Sequence, residues 1–492
     1  MTTAVQYETV IGLEVHVQLL TRSKMFCSCA VTTSYADTEP NTLVCPVCLG
    51  MPGTLPVINR RGVEMAIMTG LALNCEIPAE AKFDRKNYPY PDLMKGYQIS
   101  QYDQPLAVSG WLEIEVDGVR KDVGITRVHL EEDVAKLVHV RNAAGEAYSL
   151  VDVNRSGLPL MEIVSEPDMR SADEARAYLV KLRQILRYLD VSAANLEEGN
   201  FRCDANISLR PFGAEELGGK VEVKNINSFR FVHHALQFEV ERQRQVLESG
   251  GTIPQETRGW VDDRAVTVSQ RSKEYADDYR YFPEPDLPRI VVDREWLDDI
   301  RAEMPELPDA KRTRFHADYG LSEYDATIIA ESRARADFFE ATVAITPAAD
   351  RATRAKAVAN WMIGDFAALL HAGGVDISEA KVTPEALSQL IDLQEDGTIS
   401  GKTAKDVFAQ VFETGRSPKE IVDEAGLQQI SGSGELEAAV ERVLAANEKA
   451  TEDYRGGKEE ALKFLVGQVM RETRGRANPG IVNELLMEKL GK

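Results

Sequence analysis

The chain lacks the features of membrane-spanning and secreted proteins. Its 492 residues contain no run of 18 apolar residues, which a transmembrane helix needs. The N-terminus has no basic segment followed by an apolar one, as a secretion signal has. Six cysteines are too few for a disulfide scaffold of this length. We therefore expect a globular protein of the cytoplasm.

A surplus of basic residues is also absent. The formal net charge of −22 counts against a general nucleic-acid binder, because phosphate repulsion would have to be overcome locally. Residues 461–480 are the exception, with four basic side chains against Glu472: Lys463, Arg471, Arg474 and Arg476. Two interpretations stay open, a phosphate-contacting patch and cations that complement the C-terminal dipole of a helix.

Motifs for nucleophilic hydrolysis are missing as well. The chain has no Gly-x-Ser-x-Gly elbow and no His-Glu-x-x-His. The segment Gly397–Thr403 resembles a phosphate-binding loop, but Asp396 stands where its first glycine belongs and a helix precedes it. A joint between two helices, the second starting near Ser400 or Gly401, explains this segment better. Any hydrolytic nucleophile must then come from another chain.

The pattern of elements predicts an α+β fold in a chain too long for one core. Asp117-Gly118 predicts a type I′ hairpin, and Lys136–Arg141 and Tyr148–Val153 predict a second one. Past the proline cluster at 283–308 nearly everything has helical character. We expect a large antiparallel-sheet domain over 1–294, a helical domain over 295–408 and a small helical tail over 409–492.

Several helix ends are marked by their sequence. Ser171 and Glu174 form a capping box, and a second long helix runs from about Phe229 to Leu247. In the tail, glycines near 434 and 456 predict one helix between them, and Asn478-Pro479 starts the last helix.

Four of the six cysteines occur as two short-spaced pairs. Cys27 and Cys29 form the first pair, and Cys45 and Cys48 form the second. Two such pairs can close a tetrahedral thiolate site for a structural zinc ion, although the first has one intervening residue where two are usual. Redox-active or free thiols are the alternative.

The segment around Glu14 and His16 is the strongest functional signal. It lies within an apolar run that predicts a strand, so Glu14, His16 and Gln18 project from one face. A carboxylate and an imidazole on one face can hold a divalent cation. An amphipathic strand with a solvated face is the alternative.

Other segments offer further polar groups. The proline- and tyrosine-rich stretch Asp84–Gln101 predicts a rigid loop without regular strands, whose Lys86 and Lys95 suit phosphate neutralisation. A solvated loop is the alternative. Glu162 stands among apolar neighbours and needs a cation or a donor. Further polar groups lie in His129–Asp133 and, sharing one face, at Asp204, Asn206 and Ser208. Hard oxygen ligands with one imidazole favour magnesium over zinc.

These residues resemble the GatB family, the B subunits of the bacterial aspartyl/glutamyl-tRNA amidotransferases. The resemblance covers nearly the whole chain, and its tail is similar to the family's YqeY-type helical domain. The matching stretches are Val10–Gln18, Phe83–Gln104, Gly124–Asp133, Leu150–Asp168, Glu197–Arg210, Lys220–Phe231, Asp277–Pro288 and Gly457–Leu485. Some members lack the cysteines, whereas this sequence has all four.

The resemblance implies a ligase that forms a carbon–nitrogen bond. ATP phosphorylates the side-chain carboxylate of Glu-tRNA(Gln) or Asp-tRNA(Asn), and ammonia then displaces phosphate. The ammonia is made from glutamine by the amidase, which is the A subunit, and reaches this protein through a channel. The small C subunit completes the heterotrimer. The implied cofactors are ATP, Mg²⁺ and a structural Zn²⁺.

The resemblance also implies roles for individual residues. The implied magnesium ligands are Glu14, His16, Glu132, Glu162 and Asp204, with Glu131 an alternative to Glu132. Lys86 and Lys95 would face the phosphates or the channel, and Lys86, Lys95, Glu132 and Asp204 would be catalytic. Asn206 and Ser208 would join the two lysines in nucleotide binding, and the basic tail patch would contact tRNA.

Two other functions compete with this one. A zinc-stabilised scaffold would only recruit tRNA and a partner, without catalysis. A magnesium-dependent phosphohydrolase would act on a small molecule, without tRNA.

Overall fold

The computed structural model describes residues 5–32, 37–272, 279–347, 351–429, 433–473 and 476–491. Arg474 of the basic patch, and Asp277 and Asp278 of the resembling stretches, lie outside them. The chain forms two compact units, one up to Leu307 and one from Pro308 onward. None of the described helices has the combined length and hydrophobicity that crossing a membrane requires.

The described residues of the first unit form strands and four α-helices. Its strands are β1 Tyr7–Gln18, β2 Glu80–Ala81, β3 Asp84–Lys86, β4 Gln98–Ser100, β5 Ala107–Val116, β6 Val119–Glu132, β7 Lys136–Arg141, β8 Ala147–Asp152, β9 Pro159–Ser165, β10 Phe201–Pro211, β11 Val221–Lys224, β12 Glu256–Val261, β13 Val266–Ser272, β14 Phe282–Pro283 and β15 Ile290–Val291. Its helices are α1 Arg60–Ala72, α2 Ala172–Tyr188, α3 Phe229–Glu248 and α4 Arg294–Glu303.

An eight-stranded sheet organises this unit, in the order β13-β12-β11-β10-β1-β9-β6-β5. Neighbouring strands are antiparallel except β11 and β12, which are parallel and joined through α3. The predicted α+β class with a largely antiparallel sheet is confirmed. Alternation along the strands sends side chains such as Val15, Ile163 and Ala205 into one apolar core with residues of α1, α2 and α3. The opposite face is left for polar side chains.

The local signals behave largely as the sequence predicts. Asp117 and Gly118, with φ of 51° and 76°, form the turn between β5 and β6, and β7 pairs with β8 as the second hairpin. Ser171 caps α2 by accepting the amide hydrogen of Glu174 at 3.1 Å. The Glu174 carboxylate reaches back to the amide of Arg170 at 2.7 Å, one residue earlier than an ideal capping box.

The prediction that Asp84–Gln101 contains no strand is wrong at its two ends. β3 and β4 pair with each other, with Asp84 opposite Ser100 and Lys86 opposite Gln98. Pro89 and Pro91 both lie between the two strands. The strands themselves contain no proline, so their amides can donate the hydrogen bonds of the sheet. Only residues 87–97 form the loop, which places Lys86 on a strand and Lys95 on the loop.

The second unit is helical throughout its described residues. Its helices are α5 Pro308–Tyr319, α6 Glu323–Ile329, α7 Arg333–Ala344, α8 Arg351–Trp361, α9 Ala367–Gly373, α10 Pro384–Glu395, α11 Gly401–Thr414, α12 Pro418–Ala425, α13 Ser433–Ala446, α14 Glu448–Arg455, α15 Glu460–Glu472 and α16 Pro479–Leu490. A π-helical turn, Met362–Phe366, joins α8 to α9. Two hydrophobic cores form, one within residues 315–422 and one within 436–490.

Two helix predictions for this unit have clear outcomes. Ser400 caps α11, which starts at Gly401, so the segment resembling a phosphate loop is a helix–helix joint as expected. The single helix expected between the glycines near 434 and 456 is wrong. The chain leaves helical geometry at Asn447, which separates α13 from α14 and whose side-chain amide donates to the carbonyl of Val443 at 2.8 Å. Asparagine favours such helix ends because its side chain competes for backbone hydrogen bonds.

A buried ion network holds α3 against the edge of the sheet. Glu239 of α3 is fully buried and contacts Arg258 of β12 at 3.1 Å and Arg242 of α3 at 2.8 Å. We expect Glu239→Ala to lower the free energy of unfolding by about 1–3 kcal/mol, because the half-buried Arg242 and Arg258 lose a hydrogen-bonding anion, while Arg258 keeps Glu256 at 2.8 Å. Urea denaturation measures the loss. Glu241→Ala, at an exposed position of the same helix, should cost less than about 0.5 kcal/mol. An equal cost for both would contradict the network's role.

Candidate active site and thiolate cluster

The polar face of the eight-stranded sheet gathers side chains from distant parts of the chain. β1 lies between β10 and β9, and His16 stands opposite Glu162 of β9 and Arg202 of β10. Glu162 in turn stands opposite His129 of β6. Cross-strand neighbours on one face lie about 4.5–5.5 Å apart at Cβ, so these groups form a continuous polar surface.

Three side chains converge at the centre of this face. The Nε2 atom of His16 lies 3.4 Å from a carboxylate oxygen of Glu162 and 3.7 Å from one of Glu131. Ligand atoms of the three residues all lie within 4.8 Å of one another. Glu131 and Glu162 are buried, while the His16 side chain keeps 19% of its surface. Two carboxylates and one imidazole at this spacing fit a hard divalent cation such as Mg²⁺.

Glu162 owes its stability in the sheet to histidines on both sides. His129 Nε2 lies 3.3 Å from the carboxylate that also faces His16. Arg127 donates from Nε to His129 Nδ1 at 3.3 Å, which leaves the proton of a neutral ring on Nε2, facing Glu162. Burial raises the pKa of Glu162, but the two histidines outweigh it and hold that pKa well below its usual range. The sequence indicated that Glu162 needs a cation or a hydrogen-bond donor, and in the structure two histidines fill that role.

The same contacts act on His16. Burial by itself lowers the pKa of the imidazole. The hydrogen bond to Glu162 and the charges of Glu162 and Glu131 outweigh burial and raise the pKa to about 9. Below that pKa the ring carries a proton, which a metal ion bound to this nitrogen would have to displace.

Glu131, and not Glu132, reaches this cluster. Alternation along β6 sends His129 and Glu131 to the face that carries His16. Glu132 points away, pairs with Lys95 Nζ at 2.6 Å and accepts the amide hydrogen of Ile99 at 3.0 Å. The period-two spacing of His129 and Glu131 put them on one face, but only the strand pairing shows that this face carries His16.

Glu14 and Asp204 extend the acidic surface away from the cluster. They stand opposite each other on β1 and β10. Asn206 donates to Glu14 at 2.9 Å, and Lys224 of β11 lies 2.9 Å from Asp204. Each of these two carboxylates thus has a hydrogen-bonded or ion-paired neighbour. Both lie beside the His16 cluster but are not part of it.

Lys86 brings a cation to the edge of the cluster. Its Nζ atom lies 3.9 Å from Glu131 and 5.2 Å from the centre of the Tyr279 ring. Burial lowers the pKa of Lys86, but the nearby negative charges, with that of Glu131 foremost, together outweigh it and raise that pKa, so the amine stays charged. Lys95 is engaged separately, by Glu132.

Asn206 and Ser208 line a cavity beside Glu14. The cavity of about 220 Å³ is also bounded by Gly12, Pro167 and Lys220. The side-chain oxygens of Asn206 and Ser208 are buried there and have no hydrogen-bond partner among the described residues. Buried polar atoms without partners are rare in folded proteins. They offer two hydrogen-bonding groups to a ligand.

Sequence reasoning assigned no individual role to several charged groups of this face. Lys224 contacts Asp204 and, at 3.3 Å, Glu222. The buried Asp133 is held by Arg202 at 3.2 Å and Arg155 at 3.4 Å. Burial raises the pKa of Asp133, but the two guanidinium groups outweigh it and lower that pKa. The pattern of Glu222 and Lys224, two residues apart on a short strand, was the available signal.

The four predicted thiolates meet in a separate cluster. Sγ atoms of Cys27, Cys29, Cys45 and Cys48 lie within 4.8 Å of one another. Cys48 Sγ lies 4.0 Å from that of Cys29 and accepts the amide hydrogen of Cys45 at 3.2 Å. Four converging sulfurs with backbone support fit a tetrahedral zinc ion and leave no position for a reacting group.

Lys24 lies beside these sulfurs, a neighbour that the sequence did not reveal. Its side chain is fully buried, and its amine reaches the carbonyl of Val153 at 3.5 Å. The hydrogen bond from Cys27 is the largest influence on Cys48, and together with the Lys24 charge it lowers the pKa of that thiol. Four thiolates around Zn²⁺ carry net negative charge, which a buried ammonium offsets.

Comparison with known proteins identifies relatives along almost the whole chain. A family profile described as the GatB/GatE catalytic domain matches residues 9–298, and one described as the GatB domain matches residues 337–490. Three relatives are named as the B subunit of aspartyl/glutamyl-tRNA(Asn/Gln) amidotransferase. That of Carboxydothermus hydrogenoformans is 56% identical, that of Dehalococcoides mccartyi strain CBDB1 57%, and that of Thermomicrobium roseum 59%. Each alignment covers 99% of this chain and 99% of the relative.

Proposed function

The chain belongs to the family of aspartyl/glutamyl-tRNA(Asn/Gln) amidotransferase B subunits, and we propose that it is the ATP-dependent component that amidates misacylated tRNA. Its substrates are ATP and Glu-tRNA(Gln), Asp-tRNA(Asn) or both. It works in the cytoplasm as part of a heterotrimer with the amidase, or A subunit, and the small C subunit. The convergence of His16, Glu131 and Glu162, with Lys86 at their edge, supports the proposal most strongly.

The chemistry requires activation of a carboxylate. An oxygen of the aminoacyl side-chain carboxylate attacks the γ-phosphorus of ATP, and ADP leaves. Ammonia attacks the acyl carbon, inorganic phosphate leaves with the bonding electrons, and a proton is lost to give the amide. Catalysis of phosphoryl transfer rests mainly on positioning and on neutralisation of charge. The protein's task is therefore to place cations around the phosphates.

Particular residues would perform this task. His16, Glu131 and Glu162, with Glu14 and Asp204 alongside, would hold Mg²⁺, which when bound screens phosphate charge. Lys86 contributes a permanent charge next to them. The cavity lined by Asn206 and Ser208 supports a nucleotide contact. Glu132 would act by holding Lys95. Cys27, Cys29, Cys45 and Cys48 would hold a structural Zn²⁺.

Assay of the isolated chain tests the function. With ATP, Mg²⁺, supplied ammonia and misacylated tRNA, we expect ADP and amidated tRNA. With glutamine in place of ammonia, no amide should form, because the amidase is missing. Correctly acylated Gln-tRNA serves as the control and should give no ADP. ADP formation without tRNA would favour the phosphohydrolase, and absence of ADP in every mixture would favour the scaffold.

We also propose three domains, as the sequence indicates, with the first boundary near residue 307, where the first unit ends, and the second between residues 422 and 436, between the two helical cores. The tail beyond that second boundary would be a YqeY-like domain that contacts tRNA through its basic patch. Lys463 and Arg471 are exposed on α15, whereas Arg476 donates to the carbonyl of Gly426 at 3.4 Å. An exposed pair of cations on one helix suits a phosphate backbone.

Removing these two charges should weaken tRNA binding. We expect the double variant Lys463→Ala and Arg471→Ala to reduce the slope of log affinity against log salt by about 1 for each phosphate that is no longer neutralised. Filter binding over a series of salt concentrations measures this slope. Lys402→Ala with Lys405→Ala, which removes two charges from α11, is the matched control and should leave the slope unchanged. Equal slopes for both double variants and the parent chain would contradict the assignment.

A further inference from the structure

The thiolate loop (residues 45–53) touches the loop that carries Lys95. Gly50 lies directly against the peptide bond between Met94 and Lys95. A Cβ atom at Gly50 would lie 2.7 Å from the carbonyl oxygen of Met94 and 2.9 Å from the amide nitrogen of Lys95. Both distances are shorter than real Cβ contacts, and both neighbours are backbone atoms, which cannot rotate away. Only glycine permits this approach.

The thiolate loop is a firm support for such a contact. Its turn is closed by backbone hydrogen bonds from Leu49 to Cys45 at 3.0 Å, from Gly50 to Val47 at 3.0 Å and from Met51 to Pro46 at 2.9 Å. Cys45 and Cys48, which belong to the thiolate cluster, lie within this turn. The position of Gly50 is therefore tied to the cluster.

The two loops also line a common cavity. This space of about 30 Å³ is lined by Cys27 and Cys48 and also by Lys95, Tyr97 and Glu132. This volume leaves room for little more than a water molecule. Side chains of the thiolate cluster therefore lie next to the pair formed by Lys95 and Glu132. The loop that carries Lys95 has little space in which to shift.

The lysine loop (residues 90–97) has few hydrogen bonds of its own. Leu93 donates to Tyr90 at 3.2 Å and Gly96 to Leu93 at 3.0 Å, while Ala135 donates to Asp92 at 3.0 Å from the neighbouring segment. The bond from Gly96 to Leu93 closes a turn that has Met94 and Lys95 at its centre and orients the peptide between them. Gly50 is the neighbour against which this turn packs.

We propose that the thiolate loop, through Gly50, is a positioning element for Lys95 and holds its amine at Glu132. The inference rests on the proposed function, in which Lys95 serves catalysis. The Lys95 amine lies 2.6 Å from the Glu132 carboxylate, and a displacement of the Met94–Lys95 peptide would move it away. The thiolate cluster therefore has a role in addition to stabilising the fold. Gly50 acts through Lys95 and touches no reacting atom.

Gly53 offers a matched control within the same loop. Both glycines have positive φ, +65° at Gly50 and +88° at Gly53, so alanine brings comparable backbone strain to each. A Cβ at Gly53 would meet nothing within 4 Å. A comparison of Gly50→Ala with Gly53→Ala therefore isolates the contact with Lys95 from the strain.

Two measurements test the inference, the first on the full-length chain and the second on the heterotrimer. Acetylation of individual lysines by an N-hydroxysuccinimide ester, followed by mass spectrometry, should be several-fold faster at Lys95 in Gly50→Ala than in the parent chain. Lys121, which pairs with Glu174 at 2.8 Å, should react equally in both. In the ADP assay Gly50→Ala should lower kcat about tenfold with KM unchanged, since misplacement by a fraction of an ångström is costly. Gly53→Ala should match the parent in both measurements, and zinc content should be the same in all three.

The outcomes separate the alternatives. Equal Lys95 acetylation and equal kcat in the two variants would overturn the inference, and so would an effect confined to a variant that had lost zinc. If the parent heterotrimer formed no ADP, the proposed function would fail, while the acetylation comparison would still test the contact. Should Gly50→Ala not fold, Gly50→Asn with Gly53→Asn as control repeats the comparison, because asparagine tolerates positive φ and carries the same Cβ.

Discussion

Glu162→Gln is expected to lower tRNA-dependent ADP formation by roughly 10³-fold, the cost of removing a central electrostatic element from an active site. The carboxylate of Glu162 faces His16 at 3.4 Å and His129 at 3.3 Å. Glutamine keeps the volume and one oxygen but removes the negative charge from the middle of the site. Cation affinity should fall as well, because among the described residues Glu131 is then the one carboxylate left in this cluster.

The variant should remain folded. Glutamine has nearly the volume of glutamate and introduces no new charge, so the packing of the sheet is retained. ADP formation with each misacylated tRNA measures the catalytic loss, and titration with Mn²⁺ as a magnetic probe measures the loss of cation affinity. Glu166→Gln is the matched control, since Glu166 is exposed just beyond β9 and accepts from Thr126 at 2.7 Å. ADP formation by Glu162→Gln within tenfold of the parent would place the catalytic cation elsewhere.

Cys48→Ser is expected to abolish zinc binding and to destabilise the first unit by about 5 kcal/mol or more, because metal binding at a structural site contributes directly to folding. Cys48 is the buried member of the cluster. A serine hydroxyl is a poor replacement for a thiolate ligand of zinc, and three remaining sulfurs hold the ion weakly. The buried amine of Lys24 would also lose the anionic cluster beside it.

Elemental analysis and thermal unfolding check this expectation. The parent chain should contain one zinc per molecule and lose thermal stability when a chelator is added. Cys48→Ser should contain none and be insensitive to the chelator. Cys75→Ala removes a buried thiol that lies outside the cluster and should keep its zinc. If the parent contains no zinc and the four thiols oxidise reversibly in pairs, redox-active cysteines are the correct interpretation.

Much of the first unit follows from local rules. Alternation along β1 predicted that Glu14 and His16 share a face, and the same rule applied to Asp204 and Asn206 on β10. The hairpin at Asp117-Gly118 and the cap at Ser171 were predictable because each depends on residues within four positions of one another. The position of β3 and β4 was not predicted, since the prolines between them obscured two short strands.

The ligand set shows where sequence reasoning stops. Glu131 and Glu132 are adjacent, and only the pairing of β6 with β9 decides which one faces His16. A strand shifted by one residue would reverse the two. The contact of Gly50 with the Lys95 loop was likewise not predictable, because the two segments are separated by more than forty residues and meet through backbone atoms.

The amino-acid sequence by itself determined which chemical groups this protein has, which of them alternate along strands, where helices are capped and to which family the chain belongs. Those properties depend on side-chain chemistry and on neighbours a few residues away. Only the tertiary structure decided that Glu162 is held between His16 and His129, that Lys95 pairs with Glu132 and that Lys24 lies beside the thiolates. These contacts depend on strand register and loop packing, which are set by the burial of the whole core and not by any single segment.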